Sequence, residues 1–177
     1  MITEIKSPRL LLRKMDISDS TALFNIWSDP EVTKYMNIET FKHESQAKEM
    51  ILLFDELSKK KEAIRYSIIE LKSNTIIGTC GFNYIDFNNA KTEVGYDLDK
   101  SFWGQGYAKE AISCLIQYAF TDLRLNRIEA KIEPQNLNSI KLIERLNFTY
   151  EGTLRQTEKS KNLFIDLRMY SRLASDN

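Results

Sequence analysis

The sequence has few of the residues that build metal and thiol sites. It contains two cysteines and one histidine among 177 residues. Cys80 and Cys114 lie in apolar surroundings, and neither stands at the spacing from another cysteine or a histidine that a zinc site requires. We therefore expect two buried thiols, a His43 that caps a helix or faces solvent, and a protein that needs no metal ion.

An excess of one charge is also missing. Lysine and arginine together number 25, and aspartate and glutamate together number 25. Without a large positive field, the domain is not expected to bind nucleic acid. No apolar run has the length of a membrane span, and the first residues mix Glu4, Lys6 and Arg9 where a signal peptide would be apolar. The sequence thus predicts a cytoplasmic protein with reduced thiols and no membrane partner.

Glycine and proline are scarce, at six and three residues. Such a composition, with 28% charged residues, is typical of a compact soluble protein and not of a disordered or fibrous one. The length suits one hydrophobic core, so we expect residues 1–177 to form one domain.

Hydrophobic periodicity predicts a mixed α+β fold with the element order βααβββαβαββ. Strands are predicted at residues 9–13, 64–71, 75–82, 91–99, 127–133, 148–154 and 163–170. Helices are predicted after Asp16 or Ser18 up to Asp29-Pro30, at 44–60, at 107–123, and from Asn136 or Asn138 to Leu146. The polar residues between the last two strands are expected to form an exposed loop.

A glycine-bearing loop at residues 101–109 joins one predicted strand to the most regular predicted helix. Gly104 and Gly106 permit a tight turn in which backbone N–H groups converge, and the helix start adds free N–H groups and a positive dipole end. The loop is therefore either a phosphate-binding site or a plain strand-to-helix turn. It lacks the Lys-Ser/Thr of a P-loop and the third glycine of a dinucleotide fingerprint, so neither a kinase nor a dehydrogenase is indicated.

Several separated motifs together resemble one family. They are EVGY at 93–96, FWGQGYAKEA at 102–111, NLNS at 136–139, ERLNF at 144–148 and EG at 151–152. In this order they resemble the GNAT acyltransferases, most specifically the ribosomal-protein N-terminal acetyltransferases. The resemblance implies a mostly antiparallel central sheet with one parallel βαβ unit and about four flanking helices. It also implies direct transfer of acetyl from acetyl-CoA to a primary amine.

The resemblance favours a protein N-terminal amine as acceptor. A polyamine or amine drug is the next possibility, and a non-catalytic acyl-CoA sensor is a third. The residues expected to shape the acceptor site, 31–44 and 156–162, carry no recognisable motif, and the sequence leaves a homo-oligomer open.

The resemblance also assigns residues to the cofactor. Asp97 and Leu98 match the strand edge that pairs with pantetheine, Asn136 matches a side chain on the pantetheine arm, and Ser139 lies where the thiol end of the cofactor is expected. The segment that holds the pyrophosphate is matched by Trp103, Gly104, Gln105, Gly106, Tyr107 and Ala108. Trp103 stands where many relatives carry Arg or Gln. Lys141 and Arg145 either reach phosphates or are ordinary surface cations.

Acetyl transfer needs a group that removes the amine proton and a donor for the departing thiolate. Glu93, which projects beside the expected cleft, is the candidate base, or else an ordinary charge on a solvated strand face. Many relatives protonate the thiolate with a tyrosine, but the matching residue here is Ile143. Ser139 is the replacement candidate, or else a helix-start residue that bonds backbone. Tyr96 is expected either in the cleft or in the core.

Overall fold

The computed structural model describes residues 1–176. The strands are β1 (Glu4–Lys6), β2 (Leu10–Lys14), β3 (Ile64–Glu70), β4 (Thr75–Asp86), β5 (Lys91–Leu98), β6 (Arg127–Ile132), β7 (Thr149–Ser160) and β8 (Leu163–Leu173). The helices are α1 (Ser20–Trp27), α2 (Pro30–Thr33), α3 (Glu44–Lys59), α4 (Tyr107–Thr121) and α5 (Leu137–Arg145).

All eight strands join one sheet in the order β1-β2-β3-β4-β5-β6-β8-β7. Every neighbouring pair is antiparallel except β5 and β6, which run parallel and are connected by α4. The predicted α+β class, with one parallel βαβ unit in a mostly antiparallel sheet, is confirmed.

Helices cover both faces of the sheet. Ile76 and Ile77 are neighbours on β4, yet Ile77 belongs to the larger apolar cluster and Ile76 packs against a smaller one. Successive strand residues face opposite sides, so the two clusters lie on opposite faces. The larger cluster contains the buried side of α4, and the smaller one joins α1 to α3 around the buried Trp27.

The residues between the last two predicted strands are nearly all exposed, as predicted, but they do not form a loop. β7 continues to Ser160 and β8 starts at Leu163, so only Lys161 and Asn162 form the turn. Both have positive φ, at 49° and 65°, which is the geometry of a two-residue hairpin turn. Nearly all of β7 is exposed, so its side chains do not alternate between apolar and polar as a half-buried strand would.

Two short elements were not predicted. β1 pairs with β2 over only three residues, too few to produce a pattern. Asp29-Pro30 ends the region of α1 as expected, and it also starts α2. The Asp29 carboxylate accepts the Glu31 N–H at 2.9 Å, and proline suits the first helical position. The flanking helices are therefore four long ones and this single turn.

Neither thiol is paired: Cys80 is buried and Cys114 is half-buried. His43 is exposed at the N-cap of α3, where its backbone N–H donates to the Gln46 side-chain oxygen at 3.0 Å. Within residues 1–176, no helix is both long and apolar enough to cross a membrane. The same residues bring together no group of three metal-ligating side chains, and metal independence stays a prediction.

Candidate active site

The sheet opens between its two parallel strands. β5 and β6 pair only from Lys91 with Arg127 to Glu93 with Glu129. Beyond Glu93 the strands diverge, which leaves the β6-facing edge of residues 94–98 without a strand partner. The pairing of β4 with β5 shifts register between Phe82 and Tyr84, opposite this point. A register shift of this kind is typical of a β-bulge, which bends the strand that carries it. The divergence creates a cleft at the carboxyl end of β5.

The glycine loop closes one end of this cleft. Gly104 and Gly106 have φ of 74° and 82°, which favours glycine at both positions. Gly106 is the N-cap of α4 and has no side chain to satisfy the first N–H groups of the helix. Those N–H groups and the positive end of the helix dipole favour an anion at this end of the cleft.

The cleft has a volume of about 1070 Å³. It is lined by most of the predicted cofactor residues, namely Asp97, Leu98, Trp103, Gly104, Gly106, Tyr107, Ala108, Asn136 and Ser139. Gln105 does not line it; its side-chain amide donates to the Ser101 carbonyl at 2.9 Å. The indole N–H of Trp103 donates to the Leu98 carbonyl at 2.9 Å, so the loop is tied to the end of β5. Four cations also line the cleft, Lys34, Lys109, Lys141 and Arg145.

The side chain of Asp97 is directed into the protein. It is 4% exposed and accepts hydrogen bonds from Trp27 Nε1 at 3.2 Å, Arg65 at 2.8 Å and Thr79 Oγ1 at 2.5 Å. A buried carboxylate is tolerated when such donors satisfy it. Asp97 therefore contributes backbone to the cleft, while its carboxylate fixes the end of β5 against α1, β3 and β4.

Two hydroxyl groups meet in the middle of the cleft. Asn136 begins α5 and its Oδ1 accepts the Ser139 N–H at 3.3 Å. The Ser139 hydroxyl lies 3.0 Å from the hydroxyl of Tyr96, which extends from β5. Burial raises the pKa of Tyr96, although the hydrogen bond with Ser139 opposes this, so the phenol is held in its protonated, donating form. Ile143 on the same helix is buried and offers no polar group.

A second cavity, of about 440 Å³, lies on the other side of this hydroxyl pair. We name it the acceptor cavity. It shares five lining residues with the cleft, Tyr35, Met36, Tyr96, Asn136 and Ser139. Glu93 lines the acceptor cavity, where its carboxylate lies 2.9 Å from Lys131 Nζ and accepts the Asn83 side-chain N–H at 2.8 Å. Glu93 and Ser139, the two catalytic candidates from the sequence, both line this cavity, and their catalytic roles stay predictions.

Two further carboxylates, of Glu133 and Glu158, line the acceptor cavity. Within residues 1–176 neither accepts a hydrogen bond from a protein group or forms an ion pair. Burial raises the pKa of Glu133, and nearby Glu158 adds to the increase while Lys161 opposes it. Sequence reasoning missed both residues; the only signal was the position of Glu133 at the end of an alternating strand.

The segment after α2 covers the junction of the two spaces. The Tyr35 hydroxyl donates to the Gln135 carbonyl at 3.2 Å, and Lys161 Nζ donates to the carbonyls of Thr33 at 2.7 Å and Lys34 at 2.9 Å. These bonds attach the segment to the loop before α5 and to the tip of the β7–β8 hairpin. The predicted acceptor-shaping segments therefore contact each other over the acceptor cavity.

Comparison with known proteins identifies the arrangement. The family model described as an acetyltransferase (GNAT) domain matches residues 9–149. The uncharacterized N-acetyltransferase p20 of Bacillus licheniformis is 53% identical over 165 residues, which cover 93% of each chain. The ribosomal-protein-serine acetyltransferase of Escherichia coli (strain K12) is 33% identical over 102 residues, 58% of this chain and 57% of that protein.

Solved structures show the same fold. RimL, described as a ribosomal L7/L12 alpha-N-protein acetyltransferase, superposes with a TM-score of 0.89 at 26% identity over 98% of this chain and 95% of that one. The microcin C7 self immunity acetyltransferase MccE, solved with acetyl-CoA and AMP, gives 0.88 at 25% identity over 98% and 97%. The chain belongs to the GNAT family and is an acetyl-CoA-dependent N-acetyltransferase.

Proposed function

We propose that the protein acetylates the N-terminal amine of a protein. The observation that carries this proposal is the meeting of two spaces at the Tyr96–Ser139 pair. One space has features suited to a phosphorylated cosubstrate, and the other has carboxylates suited to a cationic amine. Names of relatives, such as ribosomal-protein-serine acetyltransferase, support a protein acceptor.

Acetyl-CoA would bind along the cleft. The backbone N–H groups of the glycine loop and of the start of α4 would hold the pyrophosphate, because they have no partner in the helix. The unpaired edge at residues 94–98 would bond the amides of pantetheine, and Asn136 would contact its arm. The cations that line the cleft, Lys34, Lys109, Lys141 and Arg145, complement the phosphates.

In the reaction, the amine nitrogen bonds to the thioester carbon as the carbon–sulfur bond breaks. Glu93 would take the proton from the amine, directly or through water, since it lines the acceptor cavity beside Tyr96. Ser139, which is hydrogen-bonded to Tyr96, would give a proton to the departing sulfur. The proton that Glu93 took from the amine would return through solvent to the Ser139–Tyr96 pair, so that the cycle ends with Glu93 ionised and both hydroxyls protonated. This pair supplies the hydroxyl donor that Ile143 cannot, which argues against a non-catalytic sensor.

Glu133 is the second candidate for the base. Its pKa is raised by burial, and a carboxylate whose pKa lies nearer the working pH is a better proton acceptor. Glu93, in contrast, already contacts Lys131 and Asn83.

The decisive experiment incubates the protein with acetyl-CoA and a panel of peptides, polyamines and amine drugs. Release of free thiol measures turnover, and mass spectrometry locates the acetyl group. We expect acetylation of peptide α-amines. Turnover on polyamines or drugs alone would move the protein to the small-molecule acetyltransferases, and acetyl-CoA binding without turnover on any acceptor would favour the sensor.

A further inference from the structure

One wall of the acceptor cavity is apolar. It is formed by the segment after α2 and by one side of α3, with the side chains of Met36, Ile38, Met50, Leu53 and Phe54. Ile165 and Leu167 of β8 also line the cavity. Three methionines line this space when Met15 is included, and their flexible side chains adapt to apolar groups of different shapes.

The size of the acceptor cavity exceeds what a small first residue needs. Its volume of about 440 Å³ falls within the range of about 300–1,000 Å³ that is usual for ligand pockets. The side chain of serine or alanine would leave most of the apolar wall exposed to water. A large apolar side chain would cover the wall and remove both surfaces from water, which is favourable in proportion to the area buried.

The unpaired charge in the acceptor cavity is negative. Arg65 is engaged by Asp97, Thr79 and Asn83, and Lys131 is engaged by Glu93. Lys161 donates to two backbone carbonyls, which do not cancel its charge, and that charge opposes the raised pKa of Glu133. Lys161 does not line the cavity, and its single charge is outnumbered by the two carboxylates that do. Glu133 and Glu158 remain without a protein partner among residues 1–176, so they complement an ammonium group and not a second carboxylate.

We infer that the acceptor is a protein whose N-terminal residue has a large apolar side chain, which the apolar wall binds while the α-amine lies near Tyr96 and Ser139. The inference rests on the proposed function and narrows it. It separates this chain from enzymes whose acceptors begin with serine or alanine, because such small side chains would leave most of the apolar wall uncovered.

The first test uses peptides that differ only in their first residue, which is Ser, Ala, Leu or Phe. The expected result is a kcat/KM for the Leu and Phe peptides at least about 10-fold above that for the Ser peptide, the scale on which apolar pockets discriminate. An equal or higher kcat/KM for the Ser peptide would overturn the inference.

The second test compares two neighbours on α3. Leu52 and Leu53 are 54% and 53% exposed, but only Leu53 lines the acceptor cavity. Leu53→Asn is expected to lower kcat/KM for the Phe peptide by about 10-fold and for the Ser peptide by much less, so that the preference for Phe over Ser falls. Leu52→Asn should change none of these values. Equal losses in both variants, or on both peptides, would contradict a specific contact with the acceptor side chain.

The same assays separate the inference from the proposed function. If no peptide is acetylated although acetyl-CoA binds, the proposed function fails. If all peptides are acetylated equally, the proposed function stands and the inference fails. Phenethylamine is a further test substrate, because it has the apolar group but no peptide. A kcat/KM for phenethylamine above that for the Phe peptide would support the apolar contact and overturn the proposal of a protein acceptor.

Discussion

Ser139 and Tyr96 share a hydrogen bond of 3.0 Å at the junction of the cleft and the acceptor cavity. Ser139→Ala removes the hydroxyl proposed to protonate the thiolate, so we expect kcat to fall by about 100-fold with little change in the KM for acetyl-CoA. Tyr96→Phe keeps the Ser139 hydroxyl as the donor, so kcat should fall less than in Ser139→Ala. Steady-state thiol release measures both variants.

Unaltered turnover in Ser139→Ala would leave Ser139 as a helix-start residue alone. Circular dichroism of the variant controls for folding, because the Ser139 N–H bond to Asn136 does not involve the hydroxyl that is removed.

The two candidate bases differ in their surroundings and can be separated by pH. Activity should fall as pH drops through the pKa of the base, because a protonated carboxyl cannot accept the amine proton. If Glu93 is the base, Glu93→Gln should lower kcat by about 100-fold and abolish the acidic limb of its pH profile, whereas Glu133→Gln should keep it. The pH profiles of kcat of both variants, taken at saturating peptide, provide the measurement, because kcat/KM would also follow the protonation of the free amine.

A fall in activity that begins at a pH above the ordinary pKa range of glutamate, and that is lost in Glu133→Gln, would instead assign the base to Glu133. That result would follow from the raised pKa that burial gives this residue.

The glycine loop is held in place by Arg9, which lies in the turn between β1 and β2. Arg9 donates to the Gln105 carbonyl at 2.9 Å and to Glu110 at 2.6 Å, and its guanidinium lies 4.3 Å from the centre of the Tyr107 ring. Arg9→Ala should loosen the loop, raise the KM for acetyl-CoA by about fivefold and leave kcat within about twofold, because it weakens binding in the ground state and the transition state alike.

Lys6→Ala is the matched control for Arg9. The variant removes the same charge from an exposed residue of β1. Within residues 1–176, the Lys6 side chain forms no hydrogen bond or ion pair with the loop. Equal effects of Lys6→Ala and Arg9→Ala would indicate a long-range charge effect and not support of the loop.

The last three strands are held together by Glu151. Its carboxylate accepts two hydrogen bonds from Arg127 on β6, at 2.9 and 2.6 Å, and one from Ser171 on β8 at 2.7 Å. The Arg127 hydrogen bonds, and then that of Ser171, lower the pKa of Glu151 from 4.5 to about 2. The stabilisation is therefore complete above the unfolded pKa and is lost as pH falls from about 4.5 towards about 2.

Glu151→Gln should lower the free energy of unfolding by about 1 kcal/mol at pH 7, since this pair is partly exposed and screened. The difference from the wild type should shrink below pH 4. Urea unfolding at several pH values measures it, with the exposed Glu144→Gln as control. A difference that does not depend on pH would show that the carboxylate charge is not responsible.

Elements with a strong hydrophobic pattern could be predicted from sequence, and elements without one could not. α4 was predicted because one face is fully buried on the sheet, with Ala111, Ile112 and Leu115 at 0% exposure. The tip of the β7–β8 hairpin was predicted as loop because both of its faces meet solvent, so the register depends on turn geometry at Lys161 and Asn162 and not on burial.

Within residues 1–176, the two parts of the sheet are joined by three pairs of strand residues, those of Lys91, Thr92 and Glu93 with β6. The end of the cleft that the glycine loop lines could be located from the sequence, because the loop is a continuous segment. The acceptor cavity could not, because Tyr35, Glu133 and Glu158 come from distant segments and carry no local pattern. Their proximity is a result of the fold, in which the parallel crossover and the hairpin bring those segments to one opening.

This division leads to a prediction about the cosubstrate. Bound acetyl-CoA would cover the unpaired edge of β5, so backbone N–H groups of residues 94–98 that β4 does not bond should exchange more slowly with deuterium. The glycine loop and the first turn of α4 should also be protected. A ligand that binds only the folded state at 100 times its Kd adds about 2.7 kcal/mol to stability, so the midpoint of thermal unfolding should rise as well.

Hydrogen–deuterium exchange with and without acetyl-CoA, read by mass spectrometry of peptides, measures this protection. Exchange in β1 should change little in comparison, because β1 is an edge strand separated from β5 by three other strands, and the contact with the glycine loop comes from Arg9 in the turn that follows β1. Protection of the loop without protection of residues 94–98 would mean that the phosphates bind while pantetheine does not pair with β5. In that case, the unpaired edge of β5 would bind the acceptor and not the cosubstrate.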